Sequence, residues 1–380
     1  MRGNKIEFND KKMESWTDCK NVLCIRADNM GDLLMSSPAI HALREHLGAK
    51  ITVLTSKKAS AVARMSPDID EVIQFDLPWI KSEDQDSPAS IDQLLEMLKS
   101  RNFDACVIFT VYSQNPLPAV MVAYMAGIPK RLAYCRENPY ALLTSWVPDP
   151  EPLEFIRHQV QRDLDLVANI GALALNKKIN LIVSSGTWST IKEKLLKKGI
   201  DLNMPYLILH PGVSEAKREF SNTGWINCGK QLLSAFGLPL LITGIAEEWA
   251  VADNLCKAIG KNSFNLCGLL DIEEFSCLIK NALAVVSVNT GTVHLAAAFN
   301  TPVVVLYAQS NPQHTPWMVP HQLLEYSIPV AYRSKNKVIE YVNGRLYHKE
   351  LPLPETWQIV EAVRDLLLLN NNFNFSSTKS

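Results

Sequence analysis

Asn21-Val22-Leu23-Cys24-Ile25-Arg26-Ala27-Asp28-Asn29-Met30-Gly31-Asp32 is the stretch from which the fold is read. Its first five residues are an apolar run of strand length. The next seven are a polar loop containing a glycine. Apolar residues then recur at helical spacing, at Leu33, Ala39, Ile40, Leu43 and Leu47. Ile51-Thr52-Val53-Leu54 is a second buried strand. Strand, loop, helix and strand in that order make a βαβ unit, and such units build parallel sheets.

The alternation continues outward from there. Strands are predicted at 72–75 and 105–109, and helices at 92–98, 118–126 and 157–170. A charged segment at 84–90, holding Pro88, reads as an exposed loop. The pattern restarts after a polar stretch at Ser184-Ser185-Gly186-Thr187, with a helix ending near Gly199. Strands follow at 206–209, 240–243, 284–288 and 302–307, and helices at 225–236, with Gly237 as C-cap, and 247–259. The chain therefore divides into a polar leader (1–20), a Rossmann-like domain (21–180), a second one (185–345), a closing amphipathic helix (355–369) and an Asn/Ser-rich tail (370–380) expected to be disordered. Two such α/β domains leave a cleft between the carboxyl ends of their strands, where ligands bind in open sheets.

Composition narrows the function. At 380 residues the chain is long enough for two domains, and 47% hydrophobic residues can fill their cores. Lys plus Arg number 38 against 39 Asp plus Glu, which excludes a general nucleic-acid binder. The eight cysteines are scattered, with no C-x-x-C pair, and read as reduced buried thiols rather than a zinc site. The leader has no apolar core, and no run is long enough for a membrane span, so a cytoplasmic location is expected. Peripheral contact with the inner membrane surface is compatible with that location.

Four places carry chemistry, each at a strand's carboxyl end. Asn29-Met30-Gly31-Asp32 puts a carboxylate at a helix start, where it either acts on a ligand or only caps the helix. His210-Pro211-Gly212 precedes Lys217 and Arg218, two cations able to hold a diphosphate or to stand in a solvated loop. Thr243-Gly244 precedes Glu247 and Glu248, carboxylates suited to ribose hydroxyls or to a helix dipole. Most specific is Val288-Asn289-Thr290-Gly291-Thr292-Val293-His294-Leu295-Ala296-Ala297-Ala298. There a buried strand breaks into small polar residues, and free N–H groups at a helix start make an anion site; a well-capped helix with a core-facing His294 is the competing reading. No P-loop, dinucleotide glycine fingerprint, H-E-x-x-H or serine elbow is present.

On these motifs the chain resembles glycosyltransferase family 9, the family of the lipopolysaccharide heptosyltransferases. The likeness runs from about Asn21 to Pro320 and rests on Arg26-x-x-x-Met30-Gly31-Asp32, His210-Pro211-Gly212 with Lys217, Gly244-x-x-x-Glu248, and Asn289-Thr290-Gly291-Thr292-x-His294 with its three alanines. The resemblance implies a GT-B fold, two doubly wound Rossmann-like domains facing across a cleft, with acceptor on the first and nucleotide sugar on the second. It implies inverting, metal-independent transfer of a heptose or related sugar to a glycan or glycolipid hydroxyl, without a cofactor. Asp32 matches the proposed base and Lys217 a donor-phosphate contact. Glu248 matches a carboxylate near the ribose, and Thr290, Gly291 and Thr292 match the phosphate turn. Gly212, Arg218, Gly244, Asn289 and His294 join the donor side; Asn29, Met30 and Gly31 join the acceptor side. Lys130, Arg131 and Arg136 would face an anionic acceptor, or form a solvated turn. The family usually has Asp-Thr-Gly, whereas Asn289 keeps the size and loses the charge, leaving the donor sugar unspecified. A nucleotide-sugar epimerase and a non-catalytic nucleotide-sugar binder are the alternatives.

Overall fold

The computed structural model describes residues 15–80, 88–213 and 215–369. Most of the polar leader, the tail from 370 and residues 84–87 of the expected loop lie outside them.

The first domain alternates β1 (Asn21–Ile25), α1 (Met30–Leu47), β2 (Lys50–Thr55), α2 (Lys57–Ala63), β3 (Glu71–Gln74), α3 (Pro88–Ser100), β4 (Ala105–Ile108), α4 (Leu117–Met125), β5 (Lys130–Cys135), β6 (Ser145–Pro148) and α5 (Gln159–Ala168). Its six strands are all parallel, in the order β3-β2-β1-β4-β5-β6. The second domain runs α6 (Thr187–Leu196), β7 (Leu207–His210), α7 (Asn222–Phe236), β8 (Leu240–Ile242), α8 (Trp249–Ile259), β9 (Ser263–Asn265), α9 (Ile272–Lys280), β10 (Ala284–Val288), α10 (Gly291–Ala298), β11 (Val303–Ala308), β12 (His321–Tyr326), α11 (Lys337–Leu346) and α12 (Thr356–Leu369). Its parallel sheet, β12-β11-β10-β7-β8-β9, repeats the first in mirror listing. Both are doubly wound, with the order reversing between β1 and β4 and again between β7 and β10.

The strands at the centre read as near-continuous apolar runs because helices cover both faces. Two clusters sandwich each sheet. One of them crosses the domains: Leu34 of α1 and Val62 of α2 pack with Val293 and Ala297 of α10. That contact fixes α1 against α10. Gly237 ends α7 at φ 66°, as its C-cap reading required. The closing helix α12 belongs to the second domain, where Ile359, Val363 and Leu366 pack with Trp225 and Leu232. The thiols of the eight cysteines are free, and seven are buried. Among the described residues, no helix is long and apolar enough to cross a membrane.

Candidate active site

The β1–α1 loop is organised by a buried cation. Arg26 has no exposed surface, and its guanidinium lies 3.2 Å from Asp28 Oδ2 and 3.1 Å from Asp32 Oδ1. Asp32 stands at the third position of α1, and its Oδ2 accepts the Asn29 N–H at 3.3 Å. Asp32 therefore does cap its helix, and Arg26 fixes its rotamer. A carboxylate has about four lone-pair sites, so both contacts leave it able to accept a further proton. Burial raises the pKa of Asp28 against the opposing pull of Arg26. Asp163 of α5 packs behind, bonded by Ser36 Oγ at 2.7 Å and Gln159 Nε2 at 2.8 Å; burial pushes its pKa up to about 6.

α1 and α10 meet end to end through glycines. A Cβ on Gly31 would lie 2.8 Å from His294 Cδ2 and 3.5 Å from Gly291 Cα; one on Gly291 would lie 2.5 Å from Met30 Cε. Only residues without side chains allow this approach. It brings the first turn of α1, which carries Asp32, next to the Thr290-Gly291-Thr292 turn. Thr290 is the N-cap of α10, whose first N–H groups have no partner inside the helix and can receive an anion. Thr292 and His294 are buried beneath the turn. His294 faces Gly31 in the interface, with an unpartnered Nδ1, and burial holds its pKa well below the ordinary value.

The other residues expected on the donor side gather at the β7/β10 reversal. Arg218 Nη1 donates to the Asn289 carbonyl at 3.1 Å, joining the cation loop to the turn. Lys217 Nζ and Arg218 Nη2 both lie on Glu215 Oε2, at 3.1 and 3.0 Å. His210 is a structural group: its Nδ1 meets Thr243 Oγ1 at 3.0 Å, and burial lowers its pKa to about 4. The two glycines make room for one carboxylate. A Cβ on Gly212 would sit 2.4 Å from Glu248 Oε1, and one on Gly244 2.2 Å from Glu248 Oε2. Glu248 also accepts the Ile245 N–H at 2.9 Å, and burial raises its pKa. Asn289 clamps the end of β11: Nδ2 reaches Ala308 O at 3.3 Å and Ser310 Oγ at 3.1 Å, while Oδ1 accepts the Ala308 N–H at 3.3 Å. An aspartate there could not donate to Ala308 O, so the amide fits its surroundings.

Two of the three cations expected to face an anionic acceptor or a solvated turn lie away from the cleft. Lys130 and Arg131 open strand β5, at the sheet edge away from the cleft. Lys130 pairs with Asp18 at 2.7 Å, and buried Arg131 donates to the carbonyls of Leu142 (2.6 Å), Ala141 (3.0 Å) and Ile128. Arg131 is thus a structural group, because its guanidinium is consumed by loop carbonyls. Arg136, past the strand's end, donates to Glu151 O at 3.0 Å and lies 3.4 Å from Asp149.

One residue at the crevice escaped sequence reading. His314, on the loop after β11, lies 3.6 Å from Asp32 Oδ1 and 3.3 Å from Asn311 Nδ2. The first distance is a contact rather than a hydrogen bond. Burial and the nearby Arg26 and Arg218 charges hold the His314 pKa well below its usual value. Its neighbours anchor the loop to the first domain: the Gln159 N–H donates to Gln313 O at 3.0 Å, and His158 Nε2 meets Thr315 O at 2.8 Å.

Residues 91–340 match glycosyltransferase family 9 (heptosyltransferase). The chain belongs to this family. Lipopolysaccharide heptosyltransferase 2 of Escherichia coli K12 is 24% identical over 343 residues, spanning 86% of this chain and 89% of its own. Among solved structures, a family 9 glycosyl transferase of Veillonella parvula aligns with TM-score 0.73 at 14% identity, over 92% of this chain and 97% of its own. The E. coli ADP-heptose lipopolysaccharide heptosyltransferase II aligns with TM-score 0.69 at 20% identity, over 92% and 99%. The family 9 chain is therefore a glycosyltransferase of GT-B fold, built on its two doubly wound sheets.

Proposed function

We propose that this glycosyltransferase catalyses inverting, metal-independent transfer of a heptose from an ADP-sugar to a glycan or glycolipid hydroxyl in surface-glycan synthesis. The reaction would run in the cytoplasm, at or near the inner membrane face. One observation carries the reading: the glycine-to-glycine contact of α1 and α10 sets a carboxylate beside an anion-binding helix start.

In the proposed step, Asp32 takes the proton of the acceptor hydroxyl as that oxygen attacks the anomeric carbon. The bond from that carbon to the β-phosphate oxygen breaks, and the nucleoside diphosphate leaves with the electron pair. A single in-line displacement inverts the anomeric centre. Lys217, Arg218 and the N–H groups of Gly291 and Thr292 meet the growing charge, and such preorganised charge is usually the largest catalytic term. These groups do the neutralising that a metal ion would otherwise supply. Glu248 accepts the ribose hydroxyls. His314 packs on the base from the donor domain, so closure of the cleft completes its surroundings and excludes water.

The deciding experiment is ADP binding by calorimetry. Lys217→Ala removes a charge-assisted contact, so the dissociation constant should rise about tenfold to a hundredfold; an unchanged value removes Lys217 from the site. Gly244→Ala sets a Cβ against the Glu248 carboxylate and 2.9 Å from the buried Cys267 Sγ, so it should weaken ADP about tenfold or more and also lower thermal stability. Unaltered affinity would mean that the carboxylate does not touch the nucleotide.

A further inference from the structure

His314 reaches Asp32 from the other domain, and its neighbours fix which of its ring nitrogens is bare. Asn311 decides this. Its Oδ1 accepts the Gln313 N–H at 3.0 Å, and a backbone N–H only donates, so the orientation of the amide is set. Its Nδ2 therefore faces His314 Nε2, at 3.3 Å. An amide nitrogen also only donates, so Nε2 accepts and carries no proton, and the ring proton sits on Nδ1. The loop that holds this arrangement is pinned to the first domain. The Trp317 ring lies 4.5 Å from that of His158, and its Nε1 donates to Lys177 O at 2.7 Å.

Nε2 and Asp32 Oδ1 thus meet as two acceptors, 3.6 Å apart. With no proton between an ionised carboxylate and a bare ring nitrogen, neither gains from the contact. The other partners of the Asp32 side chain, Arg26 Nη2 at 3.1 Å and the Asn29 N–H at 3.3 Å, are donors that suit its ionised form. Among the described contacts of that side chain, His314 is the one that suits the protonated form. A proton on Oδ1 turns the opposed pair into a hydrogen bond. The bond from Asn311, at 3.3 Å, is longer than usual and yields the Nε2 lone pair readily. An interaction that appears only as the proton moves lowers the barrier and leaves the ground state alone. Burial, with the Arg26 and Arg218 charges, opposes a second proton on the ring, so the proton stays on the oxygen.

We infer that His314 is a positioning residue for the base: its bare Nε2 receives the hydrogen bond of protonated Asp32, which ties proton abstraction to the docked β11–β12 loop. The inference rests on the transferase reading above. In the step, the acceptor O–H bond breaks and its proton forms an O–H bond on Asp32 Oδ1. That hydrogen turns to Nε2 and passes to water after the product leaves. The full chain is tested with its histidine ring nitrogens isotope-labelled for NMR, and His314→Gln assigns the resonances. At about pH 7, Nδ1 should carry the proton and Nε2 none; a proton on Nε2 overturns the inference. Turnover is read as ADP released from ADP-heptose, with water as the acceptor, and ADP affinity by calorimetry. His314→Phe should slow release at saturating donor at least about tenfold and change ADP affinity less than about threefold. His314→Gln, whose Oε1 can accept in place of Nε2, should recover to within about threefold of the unaltered chain. An unslowed Phe variant, a Gln variant as slow as the Phe one, or a loss confined to ADP affinity overturns the inference. If ADP binds but the unaltered chain releases none from ADP-heptose, the role of His314 falls while donor binding stands. If ADP fails to bind, the transferase reading fails and takes that role with it.

Discussion

Asp32→Asn is expected to lower the rate of sugar transfer by about 10²- to 10⁴-fold, the usual worth of one general base. ADP affinity should change by less than about threefold, because the loss falls on the transition state. The substitution tests chemistry more than architecture. Asparagine keeps the oxygen that caps α1 at the Asn29 N–H, and Arg26 keeps Asp28 as a partner. What disappears is the oxygen able to take a proton. Turnover and ADP binding are measured on the same preparation. A parallel loss of both would make Asp32 a structural clamp on the crevice and return the reaction to another base. His314 is a poor substitute, since burial and two neighbouring guanidinium charges oppose its protonation.

Much of this site could be read before any coordinates. β1, its loop and α1 follow from the change of hydrophobic period from strand to helix, which is a local signal. The turn at Asn289 to Thr292 was legible for the same reason: small polar residues interrupt an apolar strand and a helix begins at once. β5 was not recognised, because Lys130-Arg131 at its start masks the apolar Leu132-Ala133-Tyr134 that follows. The roles of Arg131 and Arg26 were illegible for a deeper reason. Both are cations, a type rarely buried, and only tertiary structure supplies the carbonyls and carboxylates that let them be so. His314 carries no periodic signal either. It reaches Asp32 because Gln313 and Thr315 dock their loop on the other domain, a contact between residues more than 150 positions apart.

That docking has a keystone, and its removal should have the largest effect on stability. Arg162 is fully buried, with Nη1 on Asp149 Oδ1 at 2.7 Å and Glu151 Oε2 at 2.6 Å, Nη2 on Asp149 Oδ2 at 2.9 Å and Nε on Thr110 O at 3.0 Å. The Tyr134 ring lies 4.5 Å below the guanidinium. Glu151, which has no exposed surface, in turn accepts a hydrogen bond from Gln313 Nε2 at 3.3 Å and so ties the β11–β12 loop of the second domain to the first. Arg162→Met keeps much of the volume but leaves Asp149 to the more distant Arg136 at 3.4 Å and Glu151 to Arg157 at 3.7 Å, and loss of a buried ion-pair partner typically costs about 3–5 kcal/mol. For domains of this size that corresponds to a melting temperature lower by about 6–20 °C. Adding Asp149→Asn and Glu151→Gln should recover part of the loss, because most of the penalty comes from the unpaired charges rather than from the missing contacts. If the single substitution shifts the melting temperature by less than about 3 °C, water already solvates the cluster.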